Sequence, residues 1–223
     1  MYRPFDEFRA AGKLISVIGS GGKTAFLRYW SGRLPGTVLL TTSTHILPFA
    51  DLPLAETDPA SREPTLRKLR SLLLRNRVVC LGRPGPDGKL SDPSGTVPFE
   101  ALLSEADHIL VEADGSARRP LKAHRSTEPV IPAVSSVTVG IIGASGIGKP
   151  VSEVCHCPEL FSSLAGITPD EAVRPEHIAA VINRENLADC YLVNQADAAD
   201  PGDVRLLCDL ISRDAFPCSL LPR

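Results

Sequence analysis

KLISVIGSGGKTAFLRYW is the stretch from Lys13 to Trp30. It begins with an apolar run, continues with a glycine-rich segment and ends in a helix-like pattern. A phosphate-binding loop has these parts in this order. Its glycines let backbone N–H groups turn inward at a helix N-terminus, a lysine neutralises phosphate oxygens, and a Ser or Thr hydroxyl holds Mg²⁺. The residues predicted to bind nucleotide phosphate in this way are Gly19, Ser20, Gly21, Gly22, Lys23 and Thr24.

This glycine loop is shorter than the common phosphate loop. Two residues separate Gly19 from Gly22, where the usual pattern has four, and Val17 stands at the usual position of the first glycine. The structural alternative is a tight strand–helix turn with an incidental lysine. A dinucleotide-binding loop is disfavoured, because that pattern needs a glycine where Thr24 stands and an acid at the end of the next strand, which instead ends in TTSTH.

A second glycine-rich segment, GASGIGKP from Gly143 to Pro150, has the full G-x-x-x-x-G-K spacing. Its last residue is wrong for phosphate binding, because proline has neither a hydroxyl for the metal nor an N–H for the phosphate. The sequence that follows, VSEVCHCPEL, does not have the pattern of a long helix. We therefore expect a loop at a strand end, near the site, and not its phosphate binder.

Six short runs rich in Val, Ile and Leu predict strands that are covered on both faces, as in a parallel sheet. They are LISVIG, TVLLTT, RVVCLG, HILVEAD, VTVGIIG and CYLVNQ. Between several of them lie helix-like stretches, among which TLRKLRSLLLRNR and PGDVRLLCDLISR are amphipathic. The alternation predicts an α/β fold, a three-layer sandwich with a mainly parallel sheet like that of P-loop NTPases, in one domain over residues 1–223.

Two local patterns predict further elements. In ITPDEAV, Thr168 is placed to cap a helix, Pro169 to occupy its first turn and Glu171 to complete a capping box. In RPGPDGKLSDPSG, the pair Asp87 and Gly88 is typical of a hairpin turn. We therefore expect a helix after Thr168 and a hairpin around Asp87.

Composition and charge argue against several classes of function. A formal net charge of −2 over 223 residues gives no electrostatic case for binding nucleic acid or an anionic membrane. No apolar run reaches the ~18 residues of a membrane span. The start, MYRPFDEFRA, has no apolar signal-peptide core. A cytoplasmic protein is expected, with its six cysteines as reduced and mostly buried thiols.

Two acids, Glu112 and Asp114, follow an apolar run, at the place expected of a carboxylate that holds Mg²⁺ directly or through water. Another run ends in TTSTH. Its Thr42, Thr44 and His45 are predicted to line a nucleotide or metal pocket, because parallel sheets bind ligands at the carboxyl ends of their strands. The alternative is that these threonines occur there only because threonine favours β-strands. The predicted metal ligands are Thr24, Glu112 and Asp114.

A basic cluster follows these acids in the segment ARRPLKAHR. Its members are Arg118, Arg119, Lys122, His124 and Arg125. They are candidates to clamp a second anionic group or to stabilise transferred charge. The alternative is a solvated loop.

The segment CYLVNQAD places Asn194 and Asp197 after an apolar strand, in the guanine-reading pattern N-K-x-D with Gln195 in place of the lysine. An aspartate there accepts hydrogen bonds from the guanine N1 and N2 edge. The pattern therefore favours a guanine nucleotide, although the missing lysine weakens the match to the guanine-reading pattern. Asn194 and Asp197 are predicted nucleotide contacts.

Metal-ligating side chains come close together in sequence at Cys155, His156 and Cys157. No second pair at ligand spacing accompanies them. Packing is therefore favoured over a metal site at this segment.

Several blocks of sequence, taken together, resemble the YqeC family from about Leu14 to Asp197. They are ISVIGSGGKT, VLLTTSTH, ILVEADGSARRPLKAH with the downstream EPVIP, GIGKPVSEVCHCPEL and YLVNQAD. The resemblance implies a nucleotide-binding P-loop protein that serves selenium-dependent molybdenum hydroxylases as an accessory protein, in preparing or inserting a selenium-containing cofactor. It also implies that the family's functional segments correspond here to Gly19–Thr24, Glu112 with Asp114, and Lys149 with Pro150 and His156.

We expect a protein that binds Mg²⁺ with ATP or GTP and hydrolyses the nucleotide or transfers its terminal phosphate, with Lys23, Glu112 and Asp114 as catalytic residues. One alternative is a small-molecule kinase or ATP-dependent ligase, in which the basic cluster binds an anionic acceptor. Another is a non-catalytic carrier or chaperone for a selenium species or a molybdenum cofactor. The partners implied are a nucleotide and a selenium-dependent molybdenum hydroxylase or its cofactor, with no nucleic acid and no membrane.

Overall fold

A computed structural model describes residues 13–85 and 88–220 of the chain. The strands are β1 (Leu14–Gly19), β2 (Val38–Thr42), β3 (His45–Ile46), β4 (Leu54–Glu56), β5 (Val78–Pro84), β6 (Leu90–Ser91), β7 (His108–Glu112), β8 (Leu121–Lys122), β9 (Val137–Gly143), β10 (Cys155–His156), β11 (Cys190–Asn194) and β12 (Asp214–Pro217). The helices are α1 (Lys23–Ser31), α2 (Arg62–Leu73), α3 (Phe99–Leu102), α4 (Val151–Val154), α5 (Pro158–Ala165), α6 (Pro175–Glu185) and α7 (Pro201–Leu210).

The central sheet is mainly parallel. Its strands lie in the order β12-β11-β9-β1-β7-β2-β5, all paired in parallel, and β4 also pairs in parallel with β5. The short strands β6 and β3 extend it in antiparallel fashion beyond β5. Each of the six apolar runs of the sequence forms one of the parallel strands. The expected α/β architecture with a mainly parallel sheet is therefore confirmed.

Helices cover both faces of this sheet, which explains why its strands lack polar alternation. On β1, Ile15 and Val17 pack in the same apolar cluster as Phe26 of α1. Leu14, which points to the opposite face, packs in a cluster with Leu69 of α2. Farther along the same face, the helices α5, α6 and α7 cover β9 and β11.

The parallel strands place their carboxyl ends along one edge of the sheet, and the glycine loop lies at the middle of that edge. Gly19, Gly21 and Gly22 have φ angles of 90°, 90° and 130°, a region that side chains other than glycine rarely occupy. The loop also runs very close to the end of β9, where a Cβ on Gly21 would collide with the backbone of Gly143.

The amphipathic stretches form α2 and α7 as expected. In α2, Leu66 and Leu69 are buried. The start of α7 is capped by Asp200, whose carboxylate accepts hydrogen bonds from the Gly202 and Asp203 amides at 2.7 and 3.3 Å. No helix within residues 13–85 and 88–220 has the length and apolarity to cross a membrane.

The prediction of a helix after Thr168 is wrong. Half of the capping box forms, since the Thr168 amide donates to Glu171 Oε1 at 2.7 Å, but the chain makes a turn and continues to an antiparallel bridge between Ala172 and Pro150. The helix begins later, at Pro175. A tertiary contact has overridden the local signal.

The expected hairpin connects β5 to β6, where the Gly85 amide donates to the Lys89 carbonyl at 2.8 Å. Of the two residues predicted to form its turn, Gly88 has a positive φ of 74°. Asp87 lies outside the described residues.

The close approach of β9 to the glycine loop predicts a steric effect at Gly143. This residue has an ordinary φ of −89°, but a Cβ there would lie 2.9 Å from Gly21 Cα and 2.8 Å from the Pro120 carbonyl oxygen. We expect Gly143→Ala to lower the free energy of unfolding by about 1–3 kcal/mol, as overpacking does, in urea denaturation. Gly95→Ala is the control, because its Cβ would have open space; equal effects of the two changes would contradict the prediction.

Candidate functional site

Three strand ends hold the glycine loop in place. From β7, the Asp114 carboxylate accepts a hydrogen bond from the Gly19 amide at 2.9 Å. From β9, the Ile141 carbonyl accepts one from the Ser20 amide at 2.8 Å. From β11, the Asn194 amide nitrogen donates to the Gly21 carbonyl at 2.8 Å. The short loop is therefore fixed by its neighbours on both sides.

Backbone amides are left uncommitted where the loop enters α1. The first backbone hydrogen bond of this turn runs from the Phe26 amide to the Gly22 carbonyl at 2.9 Å. None of the amides from Gly21 to Ala25 has an acceptor among the residues that the structure describes. Free amides at the positive end of a helix dipole form a site for an anion.

Lys23 is the first residue of α1 and is 3% exposed. Its ammonium donates to the Gly19 carbonyl at 2.6 Å and lies 3.0 Å from Asp114 Oδ1 and 3.9 Å from Glu112 Oε1. It also contacts the Ser116 hydroxyl at 3.3 Å. The lysine charge is thus held beside the free amides and at the floor of the cleft described below.

Thr24 and Glu112 stand together at the cleft, with the Thr24 hydroxyl 3.3 Å from Glu112 Oε2. Glu112 is 7% exposed. Burial raises the pKa of Glu112 to about 7, although the charge of Lys23 acts against this shift. A hydroxyl and a carboxylate are oxygen ligands of the kind Mg²⁺ uses beside a phosphate.

Asp114 has a different position from Glu112. Its carboxylate has no exposure and lies 3.1 Å from the Lys122 ammonium and 2.8 Å from His124 Nε2, in addition to its contacts with the glycine loop. Burial would raise the pKa of Asp114, but the His124 hydrogen bond and the charges of Lys23 and Lys122 outweigh it and hold that pKa far below its usual range. Asp114 is therefore an ionised support beneath the loop, and it does not line the cleft.

The buried charges continue away from the loop. His124 Nδ1 lies 2.8 Å from Glu185 Oε2 at the end of α6, and the Lys122 ammonium lies 2.8 Å from Glu128 Oε2. Burial lowers the pKa of His124, but its bonds to Asp114 and Glu185 outweigh that effect and raise it. The imidazolium can donate to both carboxylates, which the neutral ring cannot.

Sequence analysis did not single out Glu128 or Glu185 as members of this network. Glu128 lies in the EPVIP block that resembles the family, which is a signal that could have pointed to it. Glu185 has no local signal, because its partner His124 is 61 positions away.

An open cleft of about 910 Å³ lies over the glycine loop. That volume is in the range of pockets that hold small molecules. The loop side is lined by Gly21, Gly22, Lys23, Thr24 and Glu112, and the walls include His45, Leu47, Lys89, Arg118, Arg119, Ser145 and Gln195. The cleft therefore joins the free amides, the lysine and the Thr24–Glu112 pair in one space.

The threonines of TTSTH mainly support the strand ends. The Thr42 hydroxyl donates to the Glu112 carbonyl at 2.8 Å and accepts from the Thr44 amide at 3.0 Å. Neither threonine is among the described residues that line the cleft, whereas His45 is. Thr42 thus fixes the backbone that carries Glu112.

Asn194 and Asp197 both hydrogen-bond to other residues of the chain. Asn194 is buried, and besides its bond to Gly21 it accepts from the Leu220 amide at 3.0 Å. Asp197 accepts from the Ser219 hydroxyl at 2.8 Å. Neither is among the described lining residues, but their neighbour Gln195 is.

The basic cluster divides into two groups. The side chains of Lys122 and His124 are nearly inaccessible to solvent within the charge network. The Arg119 guanidinium donates to the Glu153 carbonyl. Arg118, Arg119 and Arg125 are exposed. Of these three, Arg118 and Arg119 are among the described residues at the cleft.

The second glycine segment supports the first. Gly143 packs against the glycine loop, and Ser145 lines the cleft, while Lys149 is exposed and lies outside the described lining. At the strand end where a loop was expected, the chain forms a three-residue 3₁₀ helix, Ala144–Gly146, directly after β9.

The cysteines agree with the expectation of mostly buried thiols. All six are free, and four of them are buried. Burial raises the pKa of the Cys155 thiol to about 12, so it is an unreactive thiol at neutral pH. Within the described ranges, no three His, Cys, Asp or Glu side chains come together to hold a metal ion.

Comparison with known proteins identifies relatives by sequence. The family model described as "YqeC protein" matches residues 15–159. The YqeC protein of Escherichia coli (strain K12) is 33% identical over 178 residues, which cover 76% of this chain and 67% of that protein. Its name states no activity. No solved structure matches the chain.

The buried position of Asp114 predicts a large loss of stability in Asp114→Asn. The amide has nearly the same shape, but it leaves Lys23 and Lys122 without their shared counter-charge. Breaking a buried ion pair costs on the order of 3 kcal/mol, and we expect a loss of that size in the free energy of unfolding by urea. Asp170→Asn, at an exposed turn, should change stability little; if Asp114→Asn behaves the same way, the support role is wrong.

The raised pKa of His124 predicts how its contribution depends on pH. A group whose pKa is higher in the folded state stabilises fully below its unfolded pKa and loses that contribution as the pH rises through the folded pKa. His124→Gln should therefore cost more stability at pH 6 than at pH 9. His156→Gln is the control with the opposite trend, because burial lowers the pKa of His156. Parallel pH trends in the two variants would exclude this account.

Proposed function

The chain belongs to the YqeC family, and we propose that it binds a nucleoside triphosphate with Mg²⁺ at the glycine loop and cleaves or transfers the terminal phosphate. The observation that carries the proposal is the set of uncommitted amides from Gly21 to Ala25 beside the Lys23 ammonium, at the floor of an open cleft. Amides, a buried cation and a helix N-terminus are together what a phosphate chain needs.

In this proposal the loop acts as a fixed cradle. The amides of Gly21 and Gly22 and the Lys23 ammonium bind the β- and γ-phosphates. Lys23 then exchanges part of its contact with Asp114 and the Gly19 carbonyl for the phosphate oxygens. The lysine charge stabilises the negative charge that develops on the leaving group.

The residues fit an Mg²⁺ ion beside the phosphates. Thr24 and Glu112 supply a hydroxyl and a carboxylate that lie together at the cleft. When bound, the metal supplies charge neutralisation at the phosphate oxygens. Glu112 holds it or orients the attacking group, and its position at the end of β7 is fixed by the bond from Thr42 to its carbonyl.

Asp114 acts in this proposal as a positioning residue. It is fully buried and bonded to the Gly19 amide and to Lys23. Its contribution to catalysis is to hold the loop and the lysine where the phosphate chain binds. This replaces the expectation that Asp114 ligates the metal.

The nucleotide is ATP or GTP, and the base contacts belong to Ser145 and Gln195 rather than to Asp197. The Ser145 hydroxyl donates to Gln195 Oε1 at 2.5 Å, and both residues line the cleft at the ends of β9 and β11. A P-loop NTPase-like architecture would place the base on that side of the phosphates.

The biological role that the resemblance implies is also a proposal. An accessory factor could couple nucleotide turnover to preparing the cofactor of a selenium-dependent molybdenum hydroxylase. The direct check is whether the hydroxylase gains activity when it is produced with the wild-type chain and fails to gain it with the Lys23→Ala chain.

The phosphate site predicts that nucleotide stabilises the protein through Lys23. At about 100 times the dissociation constant, a ligand adds about 2.7 kcal/mol of stability, which corresponds to roughly 5–10 °C in melting temperature for a chain of this size. We expect this shift with Mg²⁺–ATP or Mg²⁺–GTP in thermal denaturation, and we expect Lys23→Ala to abolish it.

The matched control for this experiment is Lys68→Ala, which removes an exposed lysine on α2 and should keep the full shift. Absence of any nucleotide shift in the wild-type chain would overturn the proposed function. A shift that survives Lys23→Ala would place the nucleotide elsewhere.

A further inference from the structure

The loop between β7 and β8 is attached to the glycine loop at two points. The Ser116 hydroxyl lies 3.3 Å from the Lys23 ammonium. Three residues later, the Arg119 carbonyl accepts a hydrogen bond from the Ser20 hydroxyl. The chain between these two attachments is therefore held beside the amides and the lysine that are proposed to bind the phosphates.

The same loop is also fixed on the side of β9. The Gly143 amide donates to the Pro120 carbonyl at 2.9 Å, and the Arg119 guanidinium donates to the Glu153 carbonyl in α4. The loop between β7 and β8 thus lies over the ends of β1 and β9, where Ser145 also lines the cleft.

Arg118 is the residue that this anchored loop leaves free. It is exposed, it lines the cleft, and its guanidinium has no hydrogen-bond or ion-pair partner among the residues that the structure describes. Ala117 and Arg118 have φ angles of 46° and 59°, a region that residues other than glycine rarely adopt. Backbone of this kind persists where surrounding contacts hold it, and it is concentrated at functional sites. The contacts of Ser116 and Arg119 hold it here.

The charge network beneath the glycine loop is already balanced. Three cations are matched there by three carboxylates when the histidine is protonated: Lys23, Lys122 and His124 contact Asp114, Glu128 and Glu185. The charge of Lys23 is thus partly offset by Asp114 at 3.0 Å before any phosphate binds. Phosphoryl transfer gains from a further cation at the terminal phosphate, and Arg118 is an unpaired cation at this cleft.

We propose that Arg118 is a catalytic arginine, whose guanidinium donates hydrogen bonds to the terminal phosphate and to the bridging oxygen of the nucleotide during transfer. This inference rests on the proposed function, because it needs the phosphate chain to lie on the glycine loop. The planar fork of a guanidinium fits pairs of phosphate oxygens. It stays protonated throughout, so Arg118 neither gives nor takes a proton.

The step that Arg118 assists is an in-line displacement. The attacking hydroxyl of water or of an acceptor loses its proton to solvent as its oxygen bonds to the γ-phosphorus. The bond from that phosphorus to the bridging oxygen breaks, and the electron pair stays on the nucleoside diphosphate. Negative charge grows on the bridging oxygen during this step, so the guanidinium stabilises the transition state more than the bound nucleotide.

The test measures turnover and nucleotide affinity separately, on the full chain with Mg²⁺ and ATP or GTP. We expect Arg118→Gln to lower kcat about 100-fold, as loss of an oxyanion donor does. The Kd of a non-hydrolysable nucleotide analogue should change less than about threefold, because the contact strengthens in the transition state. Added guanidinium ion should restore part of the lost kcat, which it would not do if Arg118 only supported the fold.

A complex of the nucleoside diphosphate with aluminium fluoride, which mimics the transferring phosphoryl group, gives a second readout. The wild-type chain should bind it tightly with Mg²⁺, and Arg118→Gln should lose most of that affinity. Arg118→Lys keeps the charge but not the fork, and it should lie between the two.

Arg125→Gln is the matched control, because Arg125 is an exposed arginine outside the described lining and its change removes the same charge. It should keep both kcat and the affinity for the fluoride complex. Equal effects of Arg118→Gln and Arg125→Gln would overturn the inference. So would a loss of analogue affinity in Arg118→Gln as large as its loss of kcat, since Arg118 would then only bind the nucleotide.

The wild-type chain separates this inference from the proposed function. If it binds no nucleotide, the proposed function fails. If it binds nucleotide, and Arg118→Gln keeps the wild-type kcat and the affinity for the fluoride complex, the role of Arg118 alone is refuted. If turnover needs an acceptor that is not supplied, the fluoride complex still decides between these results.

Discussion

The Asp114 carboxylate joins the glycine loop to the interior of the protein. It has no solvent exposure and is shared by the Gly19 amide, the Lys23 and Lys122 ammonium groups and His124. A buried charge is costly unless it is paired, and removing one partner leaves the others uncompensated. The loop, the end of β7 and the segment through β8 therefore hold one another in a single arrangement.

Glu112, the last residue of β7, and Asp114, two residues later, have different roles because their surroundings differ. Both are buried, but Asp114 is surrounded by cations that keep it ionised, whereas Glu112 has weaker compensation and a pKa raised to about 7. A carboxylate that is ionised throughout the neutral range can fix a loop. A carboxylate that lies at the boundary of the cleft and has few neighbouring positive charges, such as that of Glu112, is suited to bind a cation from solution. Sequence spacing alone could not assign these roles, because it shows only that both acids lie near the end of the same strand.

Much of the fold and the centre of the site followed from local patterns. The six apolar runs form parallel strands because burial on both faces removes polar alternation, and the glycine loop is encoded within the short span Gly19–Thr24. What could not be predicted depends on distant partners. Asn194 looks like a base-reading residue, yet its amide supports Gly21, which is 173 positions away. The start of a helix at Thr168 was overridden by the bridge from Ala172 to Pro150.

The shortness of the loop has a structural consequence for the whole cleft. A loop with fewer residues has less backbone to hold its own shape, and here its shape comes from β7, β9 and β11 through Asp114, Ile141 and Asn194. The same neighbours carry the walls of the cleft, since Gln195 follows Asn194 and Arg119 bonds to Ser20. The walls and the phosphate cradle therefore cannot move independently. A substitution that removes the Asn194 amide therefore changes a support of the cradle and the start of the neighbouring wall together.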